Sequence, residues 1–336
     1  MDTSERYRLC VEALRGFAEG AGFSDAVIGL SGGMDSSIVA VMCVDAFGAD
    51  HVHGVLLPGP YSSEHSVEDA RELAGNLGIE AQVVSVCEPY EAFERVLARA
   101  CGGELAGLAA ENTQARCRMV CLMALSNAYG WMLVNTGNKS EAMMGYSTLY
   151  GDTAGAFAPL GGLYKTDVYA VARWRNAQAE AAGAVPPVPE RVFAKPPSAE
   201  LSPNQEDEKS MGIDYPTLDA LLQAHVERDL GADALVADNV SAGAAINWLR
   251  YMEISRSWTQ INLDNLGVLT LKASINGTSR VEGKSSTVHL NYAHEENIFD
   301  LWRSLRFGDN LQAWLEQNAT LPVRRCTDGK TCKEPK

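Results

Sequence analysis

The stretch Ala26-Val27-Ile28-Gly29-Leu30-Ser31-Gly32-Gly33-Met34-Asp35-Ser36-Ser37-Ile38-Val39 decides the fold. A short, continuous apolar run from Ala26 to Leu30 enters a Gly/Ser cluster, and helical periodicity resumes from Ser36 to Phe47 through Ile38, Val39, Val41, Met42 and Val44. Such a run reads as a strand buried on both faces, followed by a helix. The adjacent glycines let the backbone turn sharply between them. The backbone N–H groups brought round by Gly32 and Gly33, the hydroxyls of Ser31 and Ser36 and the amino end of the helix then form an anion cradle. Asp35 adds an oxygen ligand for the Mg²⁺ that accompanies a polyphosphate.

Working outward, the same alternation recurs. Leu9, Val11, Leu14 and Phe17 mark a first helix, interrupted at Gly20 and Gly22. His51 to Leu57 and Ala81 to Val86 read as strands, Ser66 to Leu77 and Tyr90 to Cys101 as helices, and a long helix from Asn112 to Tyr129 precedes the apolar run Trp131 to Val134. Strands alternating with helices at this spacing imply parallel βαβ units, hence an α/β fold with a doubly wound parallel sheet whose ligands lie beyond the carboxyl ends of the strands. After Trp174 the prolines 186, 187, 189, 196, 197 and 203 frame a loop without long regular elements, in the manner of a lid. The expected division is a nucleotide-handling domain over residues 1–240 and a divergent carboxyl-terminal extension over 241–336. In that extension Trp248 to Ile254 and Phe299 to Leu315 read as helices, and Leu266 to Ile275 alternates.

Composition narrows the function. The 336 residues are 46% hydrophobic, enough for a sizeable core. Lys and Arg number 28 against 43 Asp and Glu, a net charge of -15 that would repel the phosphates of a long nucleic acid. No stretch reaches the roughly 18 apolar residues of a membrane span. A cytoplasmic protein without nucleic-acid or membrane partners is therefore expected. The eight cysteines lack paired metal-ligand spacing, as in a reduced chain. His65, His225, His289 and His294 follow no ligand spacing either. The segment Gly277-Thr278-Ser279-Arg280-Val281-Glu282-Gly283-Lys284-Ser285 has five residues between its glycines where a P-loop has four, and reads as a polar turn.

The Ser31-Gly32-Gly33-Met34-Asp35-Ser36 segment resembles the pyrophosphate loop of the N-type ATP pyrophosphatases, which split ATP between its α and β phosphates. Four further motifs are similar to those of NAD synthetases: Glu111 to Arg118, Asn135 to Glu141, Gly145 to Asp152, and Pro159 to Thr166, followed by Lys195-Pro196-Pro197-Ser198-Ala199-Glu200-Leu201. The resemblance runs from about residue 5 to 225. It implies an adenine nucleotide alpha hydrolase-like, Rossmann-like fold. It also implies adenylation of the nicotinate carboxylate of deamido-NAD by ATP with Mg²⁺, after which ammonia displaces AMP.

By that resemblance Gly29, Ser31, Gly32, Gly33, Asp35 and Ser36 bind ATP, Thr136 and Lys165 contact it, and Ser198 reaches it from the proline-rich loop. Asp35 and Glu141 hold Mg²⁺, while Arg116, Arg118 and Lys165 offset the repulsion between two anions. Asn112 and Glu141 contact deamido-NAD. Asp152 either accepts the proton of the attacking ammonia or serves the turn that follows Gly151. The wording is closest to the synthetase domain of the glutamine-dependent enzymes, whose glutaminase domain has no counterpart among these motifs. The expected nitrogen donor is thus ammonia, free or from a separate glutaminase. A homodimer is expected, with the helices around Val120 and Trp248 as its surface. A paralogue acting on a different carboxylic acid, or a nucleotide-binding protein without turnover, are the alternative readings.

Overall fold

The computed structural model describes residues 2–224, Arg228 and the strand segments 261–263, 269–275, 286–291 and 324–326. The chain contacts divide it into two compact units, Met1–Leu222 and Gln223–Lys336.

The first unit is built on four parallel strands, β1 (Ala26–Gly29), β2 (Val52–Leu56), β3 (Glu80–Val83) and β4 (Met132–Leu133), in the order β3-β2-β1-β4. Successive side chains of a strand point to opposite faces, and the core obeys that rule. Ala26 and Ile28 of β1 and Val52 and Leu56 of β2 join one apolar cluster, while Val27 and Val55 join a second on the other face. The first cluster is covered by α1 (Thr3–Ala21), α2 (Met34–Phe47), α3 (Glu64–Leu77) and α7 (Lys165–Ala181). Helices α4 (Cys87–Cys101) and α5 (Leu108–Tyr129) cover the second through Tyr90, Cys117 and Leu122. Helices on both faces explain the unbroken apolar run that marks β1.

Local chemistry sets the element ends. Asp2 caps α1 by accepting the N–H of Glu5, and α1 passes through Gly20 to stop at Gly22, which adopts φ +78°. A glycine inside a helix costs only about 1 kcal/mol, whereas a left-handed residue terminates it. Strand β2 starts at Val52 because Ala49–His51 forms a 3-10 turn. Helix α7 continues to Ala181, seven residues past Trp174, before the proline-rich loop begins. Within and after that loop lie only short helices: α8 (Glu190–Ala194), α9 (Asp207–Met211) and α10 (Tyr215–Leu222).

Beyond this unit, β5 (Ile261–Leu263), β6 (Leu269–Ile275), β7 (Ser286–Asn291) and β8 (Arg324–Cys326) pair antiparallel in sequence order. The helices expected around Trp248 and over Phe299 to Leu315, and the Gly277 to Ser285 turn, lie outside the described residues. Among the described residues no helix is long and apolar enough to cross a membrane.

Candidate active site

Strand order reverses between β1 and β4, and a parallel sheet opens a crevice at such a switch point. A cavity of about 510 Å³ lies there, lined by the loop after β1, by the segment after β4 and by the proline-rich loop. Gly29, Ser31, Gly33, Asp35, Ser36, Arg118, Thr136, Glu141, Asp152, Lys165 and Ser198 all line it.

The phosphate-loop geometry follows from its small residues. Gly32 has φ +75°, and a Cβ there would stand 2.1 Å from the backbone oxygen of Ser66 in α3. Only glycine lets the loop press against that helix. The Ser31 and Ser36 hydroxyls lie 2.8 Å apart, and Gly33, at the cap of α2, makes no side-chain cap bond. The amino end of α2 therefore faces the cavity as an anion-binding dipole.

Opposite it, Lys165 opens α7 and is only 3% exposed. Its ammonium bonds Asp35 and lies 3.4 Å from Glu141 Oε1. Burial pulls this amine down, but Asp35 and Glu141 outweigh it and hold the ammonium well above its usual pKa. Burial conversely raises the Glu141 carboxyl, with Lys165 opposing and Asp35 adding to the rise. Asn138 fastens the two acids: its Nδ2 donates to Asp35 Oδ1 at 2.9 Å, and it forms a capping box with Glu141 at the start of α6 (Lys139–Met144). Two carboxylates converging on one cation, with room for phosphate oxygens, are the hard-oxygen donor set that Mg²⁺ takes. Lys165 stands between them as the resident positive charge. Among the described residues no group of three or more His, Cys, Asp or Glu is arranged for a metal, so phosphate oxygens would complete the coordination.

Arg116 and Asn112 take another direction. Arg116 Nε donates to the Leu149 oxygen at 3.1 Å, and Asn112 Oδ1 accepts the Thr148 hydroxyl at 2.7 Å. Neither lines the cavity, nor does Gly32. Both brace the turn that presents Asp152, whose Oδ1 accepts the Thr148 N–H at 2.6 Å. Asp152 keeps solvent contact, yet the surrounding protein raises its carboxyl to about 6. Asn135 supports the same turn by donating to the oxygens of Asp152 and Ala154, and Gly155, at φ +144°, passes so close that a Cβ would stand 2.8 Å from the Asn135 nitrogen. Arg118 is fixed by donating to the Leu57 oxygen at 3.0 Å, and burial lowers its pKa.

The proline-rich loop is tied across the cavity by Glu200. Its carboxylate accepts the Ser63 N–H at 3.1 Å, the Ser63 hydroxyl at 2.9 Å and the Ser66 hydroxyl at 2.6 Å, and pairs with Lys195 at 3.3 Å. Burial works against its ionisation, but these donors hold it below the usual carboxylate range. Ser198 on the same loop donates to the Gln205 oxygen at 2.6 Å. Sequence reasoning left Glu200 without a role and passed over Asp207, a buried acid in the cavity wall bonded by Tyr146 and Tyr215.

A phosphate loop at the switch point of a doubly wound sheet, facing a lysine held between two acids, defines an α/β protein built to handle polyphosphate. The NAD synthase family model matches residues 7–255, and the chain belongs to that family. Glutamine-dependent NAD(+) synthetase of Thermotoga maritima is 43% identical over 233 residues, covering 69% of this chain and 40% of that protein. The chain spans less than half the length of such curated relatives. Among solved structures, a glutamine-dependent NAD+ synthetase from Acinetobacter baumannii in complex with ADP matches with TM-score 0.56 at 36% identity, over 78% of this chain and 47% of that one. NMN synthetase from Francisella tularensis matches with TM-score 0.58 at 32% identity, over 67% and 87%. NH3-dependent NAD synthetase from Campylobacter jejuni matches with TM-score 0.58 at 26% identity, over 78% and 99%.

The carboxyl-terminal stretch, which carries none of the synthetase motifs, has relatives of its own. A second family model, intermembrane phospholipid transport protein YdbH, matches residues 226–320. Probable phospholipid transport protein YdbH of Escherichia coli is 76% identical over 103 residues, 31% of this chain and 12% of that protein.

Proposed function

We propose that the unit ending at Leu222 is an ATP-dependent amidating ligase. It adenylates the nicotinate carboxylate of deamido-NAD with release of pyrophosphate, and ammonia then displaces AMP to leave NAD. The observation that carries this reading is the single cavity in which the Ser31 to Ser36 loop faces Lys165, Asp35 and Glu141. Attack of a carboxylate on a phosphate brings two anions together, and preorganised positive charge in a water-poor site is the main means of lowering that barrier.

In this reading the loop N–H groups and the Ser31 and Ser36 hydroxyls hold the pyrophosphate that leaves. Asp35 and Glu141 would hold Mg²⁺, whose charge neutralises the polyphosphate. Lys165 stabilises the charge that develops on the α-phosphate oxygens. Thr136 and Ser198 contact the nucleotide, Arg118 adds positive charge to the wall, and Arg116 and Asn112 act through the turn they brace. Asp152, with a carboxyl near 6, is mostly ionised at neutral pH and accepts the proton that ammonia loses on attack.

Ammonia is the proposed donor, free or from a separate glutaminase, because this chain matches 99% of the NH3-dependent C. jejuni structure at 26% identity. One observation favours a second acid: the chain covers 87% of an NMN synthetase at 32% identity, so the acid mononucleotide is the competing substrate. The apolar side chains Val120 and Met123, exposed on α5, offer a surface for a homodimer.

Purified protein given ATP, Mg²⁺ and ammonium with either deamido-NAD or nicotinate mononucleotide decides the reading by mass spectrometry. Amide product with equimolar AMP and pyrophosphate is expected, faster with deamido-NAD. ADP and inorganic phosphate instead, or no turnover of either acid, would remove it. A parallel arm with glutamine in place of ammonium is expected to stay silent.

A further inference from the structure

Asp219 lies on α10 and is 1% exposed. Its Oδ1 accepts the Ser140 hydroxyl at 2.5 Å and its Oδ2 accepts the Thr166 N–H at 2.8 Å. The same Ser140 oxygen accepts the backbone N–H of Lys165 at 2.9 Å. Every donor in this chain of bonds has an acceptor, and the groups come from three helices, α6, α7 and α10.

Two facts make the arrangement more than a helix cap. The first N–H groups of α7 find no partner on their own cap residue, since Tyr164 makes no side-chain cap bond. That of Lys165 is satisfied by Ser140 on α6 and that of Thr166 by Asp219 on α10, 53 residues downstream. Ser140 is also the neighbour of Glu141 on α6, a helix of only six residues that is too short to hold its own geometry. One buried carboxylate thus joins the helix bearing Glu141 to the helix that begins with Lys165. The same α10 touches Lys165 again through the Tyr215 ring, 5.1 Å from Nζ. Burying a carboxylate is costly unless its oxygens are bonded, and here both are, at the positive end of a 17-residue helix.

We infer that Asp219 is a positioning residue for the amidation, setting the spacing of Lys165 and Glu141 without touching substrate. The inference rests on the proposed ligase activity, and its test separates the two.

The full chain carrying Asp219→Ala, Asp219→Asn, Ser140→Ala or the alanine pair is assayed below each unfolding midpoint, with kcat and the two KM values determined separately. A displacement of about 1 Å in a catalytic group can cost about 100-fold. Asp219→Ala is therefore expected to lower kcat by about 10- to 100-fold while the KM for the acid moves less than about 3-fold. Asn can accept from Thr166 and donate to Ser140, and is expected to restore kcat to within about 5-fold of the parent. Ser140→Ala is expected to lose part of the rate, and the pair to be no worse than Asp219→Ala alone. A lower unfolding midpoint with unchanged kcat per folded molecule would overturn the inference, as would an additive pair. If Asp219→Ala does not fold, Ser140→Ala decides, and parental kcat in it sinks the idea. If the parent turns over neither acid, the ligase reading fails by itself. Calorimetric affinity for Mg·ATP then judges Asp219: about 5-fold weakening by alanine with recovery by asparagine supports it, and equal affinities overturn it.

Discussion

The two units of this chain are built by opposite rules. Up to Leu222 the strands are parallel and each pairs with a neighbour reached through a helical crossover, in the order β3-β2-β1-β4. Beyond it β5 to β8 pair antiparallel with their neighbours in sequence. A crossover sheet gathers the carboxyl ends of its strands at a switch point, where loops of distant sequence converge. A sheet whose strands pair in sequence order makes no such point. Among the described residues, the cavity lining falls between Gly29 and Asp207. The NAD synthase family model covers residues 7–255 and the phospholipid transport model residues 226–320, so the two matches overlap in the start of the second unit. The chemistry should therefore respond to changes in the first unit and ignore the second.

The sharpest way to break that contrast is Asp35→Asn. Asp35 sits on the first turn of α2, where asparagine keeps its shape and the bond from Asn138 can be re-formed, so folding should persist. The charge that pairs with Lys165, and that would hold Mg²⁺ in the proposed reaction, is lost, and a fall of about 100- to 1000-fold in kcat is expected. An equally folded variant of parental rate would remove the metal and phosphate role of this loop.

Next comes Asp152→Asn. If the carboxyl takes the ammonia proton, the parent rate rises as pH passes about 6, the variant lacks that limb, and its plateau falls by about 100-fold. The stability effect has the opposite sign. A folded carboxyl raised to about 6, above its unfolded value of about 3.9, costs stability as pH climbs through that window. The variant should therefore melt higher than the parent at pH 8 and no higher at pH 3. Full activity with the pH limb intact would reduce Asp152 to a cap for Thr148.

These two residues also mark what could be read before the structure. The loop after β1 was legible because its geometry is contiguous: Gly32, Gly33, Asp35 and Ser36 lie within one turn, and the apolar strand before them reports its own burial. Lys165 and Glu141 were reachable through the family resemblance. Asp219, Glu200 and Asp207 carry no local sign of their roles. Glu200 meets Ser63 across 137 positions and Asp219 meets Ser140 across 79, and no periodicity encodes such pairs. Arg116 and Asn112 show the converse, since residues placed in the site by motif support it from behind, bonded to the 148–152 turn. Trp174 misled for a plainer reason: the composition changes there, but good helix formers carry α7 on to Ala181.

Glu200→Gln tests the strap with a smaller expected effect. The carboxylate collects four donors from Ser63, Ser66 and Lys195, and hydrogen bonds to a charged group are worth about 1.5–3 kcal/mol. Neutralising it should loosen the loop that carries Ser198 and raise the KM for ATP about 10-fold, leaving kcat within about 2-fold. A matching fall in kcat with unchanged KM would place Glu200 in the chemical step.

The smallest effect is expected in the second unit. Lys272, Arg280, Lys284 and Arg324 all lie beyond Ser255, the last residue matched by the NAD synthase model. They also lie in or beside the stretch with transport-protein relatives, whose strands form a sheet of their own. Ending the chain at Ser255 removes β5 to β8 and all four cations while sparing every cavity residue and α10. The KM for the acid and for ATP should each move less than about 2-fold, since no ground-state contact is lost. A rise in the KM for the acid alone, larger at low salt, would mean that the second unit reaches the first unit's substrate, and the division of labour between them would fall.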